Sequence, residues 1–370
     1  MTDSSSYVLK RQRCQCTPIA LLAIALSITG CGLIGTDGED ASPSSEETAL
    51  DPTTAAPVGA EDEPSDPVPG SEGGAPCAST EASTVGTVAS PALTETSGLA
   101  ASARHPGVLW AHNDSGAETA IHAIGPAGED LGVAIVPSIP GVDIEDMALT
   151  GGFVYLADIG DNNAQRSGVT LYRFPEPDLP ADGGVLTVAP EVVEVAPLAY
   201  PDGATDAEAL LVDPRSGQVA IVAKAIVLRL NPDAPVGAGA ASIYVADPPW
   251  DGATTVLTEA GAVALDDLAE EAEGEIPEGA IADFGVAGVA TAADVRADGA
   301  AIAVRTYQTV WLFARAEGQG LADALMTTPC PARTILEEQG EAVAFVNDGS
   351  GAFVTVSEGR QPALNRTSLG

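Results

Sequence analysis

Basic side chains are scarce in this chain. Its 370 residues carry 15 Lys and Arg against 53 Asp and Glu, which gives a formal net charge of −38 at pH 7. Lysine occurs only at Lys10 and Lys224. Nucleic acids and anionic membrane surfaces are bound through basic stripes, so this composition excludes both as charge-driven partners. The acidic excess is typical of a monomer kept soluble outside the cytoplasm.

Signatures of several enzyme classes are also lacking. There are three histidines and no Gly-x-Ser-x-Gly motif, which argues against a serine triad. No phosphate loop, dinucleotide fingerprint or zinc helix motif occurs. Trp110, Trp250 and Trp311 are too scattered to form a sugar-stacking platform. His112 is interpreted as a hydrogen-bonded residue at a strand end and not as a catalytic base.

The N-terminus has the features of an export signal. Three basic residues precede the apolar stretch 19–28, which is too short to span a bilayer and ends in Leu26-Ser-Ile-Thr-Gly-Cys31. This ending resembles a bacterial lipobox. The resemblance implies that residues 1–30 are a signal peptide and that Cys31 is acylated, which would anchor the protein to a membrane of the bacterial cell envelope, outside the cytoplasm. An ordinary cleaved signal with an incidental Cys31 is the alternative.

Residues 31–84 are predicted to be a disordered acidic tether, and residues 85–370 the folded domain. The tether is rich in Asp, Glu, Ser, Pro and Gly and cannot bury enough apolar surface to fold. Two cysteines remain beyond the signal and the acylation site, Cys77 and Cys330. An oxidising compartment favours a disulfide between them over two free thiols.

A β-hairpin motif occurs five times in the folded region. Each copy has a small or acidic residue, an apolar strand, a tight turn and a second strand that ends in polar groups; the copies begin near Ser97, Glu145, Glu208, Asp294 and Glu341. Four copies have the same 16-residue offset between their two ends, and the Asp294 copy has 12. Repeats of this kind predict an all-β fold, a β-propeller with five blades favoured over six.

Three details of this propeller are open to test. A degenerate sixth blade would lie between Ile226 and Val289, and an acidic insertion is expected at about 258–285. The chain ends soon after the last hairpin, so the segment from Thr84 to Thr96 is expected to supply the strand that closes the ring. The expected disulfide would then join that strand to the preceding blade.

Several stretches resemble a family of secreted bacterial β-propeller proteins that are often lipoproteins. They include Gly107-Val-Leu-Trp-Ala-His-Asn-Asp-Ser-Gly, Ala157-Asp-Ile-Gly-Asp-Asn-Asn-Ala-Gln-Arg and Gln339-Gly-Glu-Ala-Val-Ala-Phe. The resemblance covers the folded region and implies its fold and location. The family has no settled activity, so the resemblance supplies no catalytic residue.

Hairpin geometry places the start of the first strand and the end of the second strand at one rim. The rim is therefore predicted to bind a ligand through Asn113, Asp114, Glu145, Asp146, Glu208, Lys224, Asp294, Arg305, Glu341 and Glu358. Crowded carboxylates raise one another's pKa unless a cation intervenes. A small ligand or a divalent cation is the favoured occupant.

Calcium is the cation considered, because it prefers carboxylate and amide oxygens. Asp158, Asp161 and Asn162 have the composition of a calcium loop without its known spacing. Three alternatives remain: a glycoside or phosphoester hydrolase that uses the same carboxylates, a scaffold for an envelope protein, and acids that only hold the blades in register.

Overall fold

Five mainly antiparallel sheets surround one axis. The computed structural model describes residues 80–116, 118–224, 240–265, 267–268 and 288–369, all within the second of two units, 1–69 and 70–370. The innermost strand of each sheet contacts the innermost strands of its two neighbours, and the contacts close into a ring. The fold is the five-bladed β-propeller that the repeats predict.

Blades one and two have five strands each, because a short parallel strand joins the outer edge of each four-stranded unit. Blade one runs outward through β2 (Thr96–Ala101), β3 (Leu109–Asn113), β4 (Ala120–Ile124), β5 (Asp130–Ile135) and β9 (Val185–Thr187). Blade two runs outward through β6 (Ile144–Thr150), β7 (Phe153–Asp158), β8 (Val169–Pro175), β10 (Glu194–Ala199) and β14 (Thr255–Val256).

Blades three to five have four strands each. Blade three contains β11 (Ala207–Val212), β12 (Val219–Ala223), β13 (Ala241–Ala246) and β15 (Thr258–Val263). Blade four contains β16 (Ala290–Val295), β17 (Ala301–Thr306), β18 (Val310–Ala314) and β19 (Cys330–Ala332). Blade five contains β20 (Gly340–Phe345), β21 (Phe353–Ser357), β22 (Ala363–Leu369) and β1 (Thr80–Thr87). The short helical segments include α1 (Leu321–Leu325) and two 3₁₀ turns, Ala181–Gly183 and Pro190–Val192.

The N-terminal strand closes the ring. β1 pairs antiparallel with β22 and becomes the outer strand of blade five, so the two ends of the fold share one sheet. This strand begins at Thr80, four residues before the predicted closing segment, because residues 80–84 also pair with β22, from Thr80 opposite Leu369 to Thr84 opposite Asn365. Cys31 and Cys77 lie outside the described residues, so lipidation and the disulfide stay predictions. No helix among the described residues is long and apolar enough to cross a membrane.

The residues assigned to an insertion or a sixth blade belong in part to blade three. β13 and β15 lie between Ile226 and Val289 and pair with each other as the third and fourth strands of that blade. β15 also falls within the predicted insertion at 258–285, and its last residue, Val263, is buried in the core. The alternative of a sixth blade is therefore wrong, since the strands attributed to it complete the third blade.

The hydrophobic core is divided among the blade interfaces. Five clusters of buried residues occur, and each combines strands of two adjacent blades. Helix α1 packs Leu321 and Leu325 into the cluster between blades three and four. Small and β-branched side chains on the inner strands allow this close approach near the axis.

A buried ion pair also joins blades three and four. Arg315 donates from both terminal nitrogens to the two carboxylate oxygens of Asp213, each at 2.8 Å, and both side chains are 4% exposed. Burial raises the pKa of Asp213, but the hydrogen bonds from Arg315 and Ser216 outweigh it and lower the pKa to about 2. This two-pronged contact is one that lysine cannot reproduce.

Replacing Arg315 with lysine is expected to destabilise the fold by about 2 kcal/mol, because a single ammonium leaves part of a buried carboxylate unpaired. Urea unfolding monitored by tryptophan fluorescence measures the change. Arg366→Lys is the matched control, because Arg366 and its partner Asp348 are exposed by 30% and 48% and such pairs contribute little. Equal losses in the two variants would contradict the prediction.

Candidate functional site

Each inner strand carries a β-bulge at the same position. The register of all five inner hairpins skips one residue near the start of the first strand. A bulge leaves the extra residue out of the ladder and re-aims its side chain. The five skipped residues are Ser97, Glu145, Glu208, Thr291 and Glu341. This ring of bulges lies at the rim where the sequence predicts a site.

A polar cavity of about 120 Å³ opens at this rim. We call it the mouth. It is lined by Glu95, Thr96, Ser97, Asp114, Glu145, Asn162, Glu208, Lys224, Tyr307, Gln339, Glu341 and Glu358. Six of the ten residues predicted for the rim are therefore brought together: Asp114, Glu145, Glu208, Lys224, Glu341 and Glu358.

Three glutamates and one lysine form the inner wall of the mouth. Glu145, Glu208 and Glu341 are all less than 9% exposed. Burial and the charge of Glu208 raise the pKa of Glu145 to about 10. Burial raises the pKa of Glu208 to about 8 against the opposing charge of Lys224, and burial raises that of Glu341 to about 7. The inner wall thus holds more carboxyl groups than its own cation can neutralise.

Lys224 is committed to one of these carboxylates. Its ammonium donates to Oε1 of Glu208, and its side chain is only 9% exposed. Burial lowers the pKa of Lys224, but the charge of Glu208 and the hydrogen bond outweigh it and raise the pKa. Lys224 therefore stays charged at neutral pH and cannot act as a base or a nucleophile.

Acceptor atoms without a donor remain in the inner wall. Oε2 of Glu208 is buried and has no hydrogen-bond partner. No hydrogen bond or ion pair joins the carboxyl group of Glu145 to another residue in the described part of the chain. Unpaired buried acceptors cost about 1–3 kcal/mol each, more when charged. The mouth is therefore electrostatically incomplete without a proton or an added cation.

Other carboxyl groups that line the mouth accept hydrogen bonds from neighbouring side chains. Nε2 of Gln339 donates to Oε1 of Glu341, 3.0 Å away, and to Oε2 of Glu358. The Ser115 hydroxyl donates to Oε2 of Glu95 at 2.9 Å. Burial and the charge of Glu95 raise the pKa of Asp114. Oδ1 of Asp114 is nevertheless buried without a hydrogen-bond partner, so acceptor capacity remains at Asp114 as well as at Glu145 and Glu208.

Tyr307 is a mouth residue that the sequence interpretation missed. It lines the cavity from blade four, just after β17. Burial raises the pKa of its hydroxyl, and the nearby charges of Glu208 and Glu341 add to the rise. A signal for it exists, because Tyr307 follows the bulge residue Thr291 by the same 16 positions found in four other copies. Glu95, Thr96, Ser97 and Gln339 were also not predicted as ligand-binding residues.

Asp146 lies inside the ring and not at the mouth. Its side chain is 0% exposed, and its carboxylate accepts three backbone N–H groups, from Met147 at 2.8 Å, Leu210 at 2.8 Å and Ala293 at 3.0 Å. These donors belong to the inner strands of blades two, three and four. Burial raises the pKa of Asp146, and the three donors oppose the rise. The residue holds three blades in register, as one of the alternatives expected.

Asp294 lies toward the other end of the ring. Its carboxylate accepts N–H groups from Val295 at 2.8 Å and from Phe345 of blade five at 2.7 Å. It lines a separate cavity of about 220 Å³ together with Thr150 and Leu149, from the far end of β6. The rim position in blade four belongs to Thr291, whose hydroxyl donates to the carbonyl of Gly340 at 2.8 Å.

Arg305 and Asn113 also do not line the mouth. Arg305 is 0% exposed and pairs with Glu337 at 2.9 Å, between blades four and five. The Asn113 amide binds the backbone of the preceding loop, where its Oδ1 accepts from Thr94 and Glu95. Nδ1 of His112 lies 2.9 Å from the carbonyl of Asn113. These groups support the rim instead of facing a ligand.

The predicted calcium loop is organised by internal donors. Asp158 accepts the backbone N–H groups of Val142 and Asp143 and pairs with Arg166 at 2.7 Å. Asp161 accepts N–H groups from Gln165 and Arg166. Asn162 alone of the three reaches the mouth. Within the described residues, no group of three or more His, Cys, Asp or Glu side chains is arranged to hold a metal ion.

Comparison with known proteins finds only distant similarity. No protein-family model and no curated sequence matches the chain. The PQQ-bound aldose sugar dehydrogenase of Streptomyces coelicolor is 12% identical over 80% of this chain and 99% of that chain, with a TM-score of 0.41. The apo aldose sugar dehydrogenase of Escherichia coli is 10% identical over 79% and 100%, with a TM-score of 0.40.

A third example is the calcium structure of a Trichoderma reesei family AA12 carbohydrate-active enzyme, 9% identical over 79% of this chain and 96% of that chain, with a TM-score of 0.40. At such identities and TM-scores the likeness carries no information about the ligand or activity of this chain.

Proposed function

We propose that this protein is an extracytoplasmic ligand-binding β-propeller whose mouth takes a small, positively charged ligand. The observation that carries the proposal is the unbalanced inner wall, where three buried carboxyl groups share one ammonium. A bound cation would replace the protons that these groups otherwise retain. Ca²⁺ is the inorganic candidate, coordinated in part by water, and small organic cations are the other class.

Anchoring at the bacterial cell envelope through an acylated Cys31 is part of this proposal. It rests on the lipobox-like sequence before Cys31 and on the acidic segment that follows it. A tethered propeller with an acidic mouth suits a binding protein that samples the medium outside the cell. Labelling of cells with a radioactive fatty acid, in the wild type and in Cys31→Ser, tests the anchor directly.

Cation binding is expected to raise the melting temperature of the protein at pH 8. Binding to the folded state alone stabilises it by about 2.7 kcal/mol at a hundredfold excess over the dissociation constant. Thermal unfolding is measured with Ca²⁺, Mg²⁺ and a set of small amines at constant ionic strength. Glu208→Gln and Glu341→Gln should each abolish the shift produced by whichever ligand binds. A panel without any shift in the wild type would rule the function out.

Hydrolysis is a second candidate, favoured by the contrast between two mouth residues. Glu145 retains its proton to about pH 10, whereas Glu341 loses it near pH 7. An acid and a base with separated pKa values are the requirement for glycoside cleavage. Turnover of a chromogenic glycoside or phosphoester, lost in Glu145→Gln, would favour a hydrolase. A scaffold for an envelope protein would instead bind its partner equally well in all of these variants.

A further inference from the structure

The mouth already stabilises one ammonium group, that of Lys224, against Glu208. We infer that its ligand is a small primary amine, whose ammonium docks between Glu145 and the free oxygen of Glu208, beside Lys224. The inference rests on the proposed function and narrows the class of cation. Its basis is the position of the unpaired acceptors, the lack of a metal-holding group of side chains among the described residues, and the aromatic side chain of Tyr307 in the mouth.

The unpaired acceptors match the donors of a primary ammonium. Glu208 is 5% exposed and its Oε2 has no partner. Glu145 is 6% exposed, and its two carboxyl oxygens accept no hydrogen bond within the described part of the chain. An alkylammonium carries three N–H donors and no acceptor. One ligand group can therefore donate both to the buried Oε2 of Glu208 and to the carboxyl group of Glu145, which lines the same cavity.

A bare metal ion fits these residues less well. Hard divalent cations need six or more oxygens in close array, and no group of three or more potential ligand side chains is so arranged in the described residues. The remaining carboxylates are partly committed, since Glu341 and Glu358 both accept from Gln339.

Tyr307 supplies the surface that an organic cation needs. It is the aromatic residue among those that line the mouth, and it faces the same cavity as Glu145 and Glu208. Aromatic faces attract ammonium groups and pack against the methylene groups next to them. The outer carboxylates Glu95 and Asp114 line the same cavity. They provide a second anionic locus, so a linear diamine should bind more tightly than a monoamine.

Isothermal titration calorimetry of the full chain with 1,4-diaminobutane at pH 8 tests this assignment. Binding is expected, with Glu145→Gln weakening it about tenfold or more, since a charge-assisted hydrogen bond is lost. The doubly quaternised analogue, with equal charge and no N–H donor, should bind at least about tenfold more weakly. Glu191→Gln is the matched control, because Glu191 is exposed in the 3₁₀ turn Pro190–Val192, and it should leave the affinity unchanged.

Each contrary outcome has a separate meaning. One contrary outcome is that Ca²⁺ binds, that Glu341→Gln abolishes this binding, and that the diamine gives no heat. This result would overturn the assignment of an amine ligand and leave the proposed function standing. Equal affinity for the quaternised analogue, or diamine binding that ignores Glu145→Gln, would overturn the docking mode. No heat of binding from any of the cations would overturn both the amine assignment and the proposed function. Thermal unfolding of each variant verifies that it is folded before titration.

Discussion

Replacing Asp146 with alanine is expected to destabilise the propeller by about 4 kcal/mol, among the largest losses from any single substitution in this fold. The carboxylate accepts backbone N–H groups from three blades, and its side chain is fully buried. Alanine would leave three buried donors unpaired near the axis. Since each unpaired donor costs about 1–3 kcal/mol, the losses accumulate.

Chemical unfolding of the full chain measures this effect, with the fluorescence of the buried Trp110 and Trp311 as the signal. Asp146→Asn should lose about half as much, because one amide oxygen still accepts while the NH₂ group opposes the remaining donor. It also keeps the experiment informative should the alanine variant not fold. Asp202→Ala is the matched control at an exposed turn and should change stability by less than about 0.5 kcal/mol. A loss no larger than that of the control would refute the axial role.

The neighbours Glu145 and Asp146 show how one bulge separates two functions. Both are acids at the start of β6, and the sequence interpretation assigned both to the rim. Because the register skips Glu145, its side chain faces the mouth. The side chain of the next residue, Asp146, then faces the axis of the ring. The residues at the same position of the other inner strands are Gly98, Ala209, Ala292 and Ala342. Small residues at these positions leave the axis to a single carboxylate.

The blades were predictable because their signals are local. Gly-rich and Asp-rich turns and short β-branched strands recur along the chain, and these features specify a hairpin without reference to the rest of the fold. The sequence also predicted that an N-terminal strand would close the ring, because the last blade lacked an outer strand of its own. The start of this strand at Thr80 was not predicted, because the strand has a mixed burial pattern beside an acidic segment.

The sequence predicted the bulge residues of the mouth only in the blades where that residue is acidic. In blade four the bulge residue is the uncharged Thr291, so aligning acids selected Asp294, three residues further along β16. At the other end of this hairpin, Arg305 was assigned to the rim in place of Tyr307, which lies two residues further along the chain. Arg305 lies within β17 and pairs with Glu337, which is distant in sequence and belongs to no repeat. A bulge depends on how two strands pair, and composition alone does not reveal it.

The inner wall of the mouth also determines how stability should vary with pH. Glu145, Glu208 and Glu341 have pKa values of about 10, 8 and 7 in the folded state, against about 4.3 in an unfolded chain. Between these limits the folded protein binds more protons than the unfolded one, so stability must fall as pH rises. Asp213 acts oppositely, since its pKa is lowered to about 2 and its contribution is lost only in strong acid.

The free energy of unfolding is therefore expected to decrease by at least about 3 kcal/mol between pH 5 and pH 9. Glu341 alone accounts for about this amount, because its pKa of about 7 lies two units above pH 5 and one unit corresponds to about 1.4 kcal/mol, and Glu145 and Glu208 add to the decrease. Urea unfolding at pH 5, 7 and 9 measures the slope. Glu145→Gln should raise stability at pH 9 and flatten the slope, whereas Glu191→Gln, at an exposed site, should do neither.

A ligand cation should stabilise the protein more at pH 8 than at pH 5, because at low pH it competes with the protons on the same carboxyl groups. Stability that stays constant or rises from pH 5 to 9 would mean that these glutamates ionise as freely as exposed ones, and the mouth would then have no unbalanced charge for a cation to relieve.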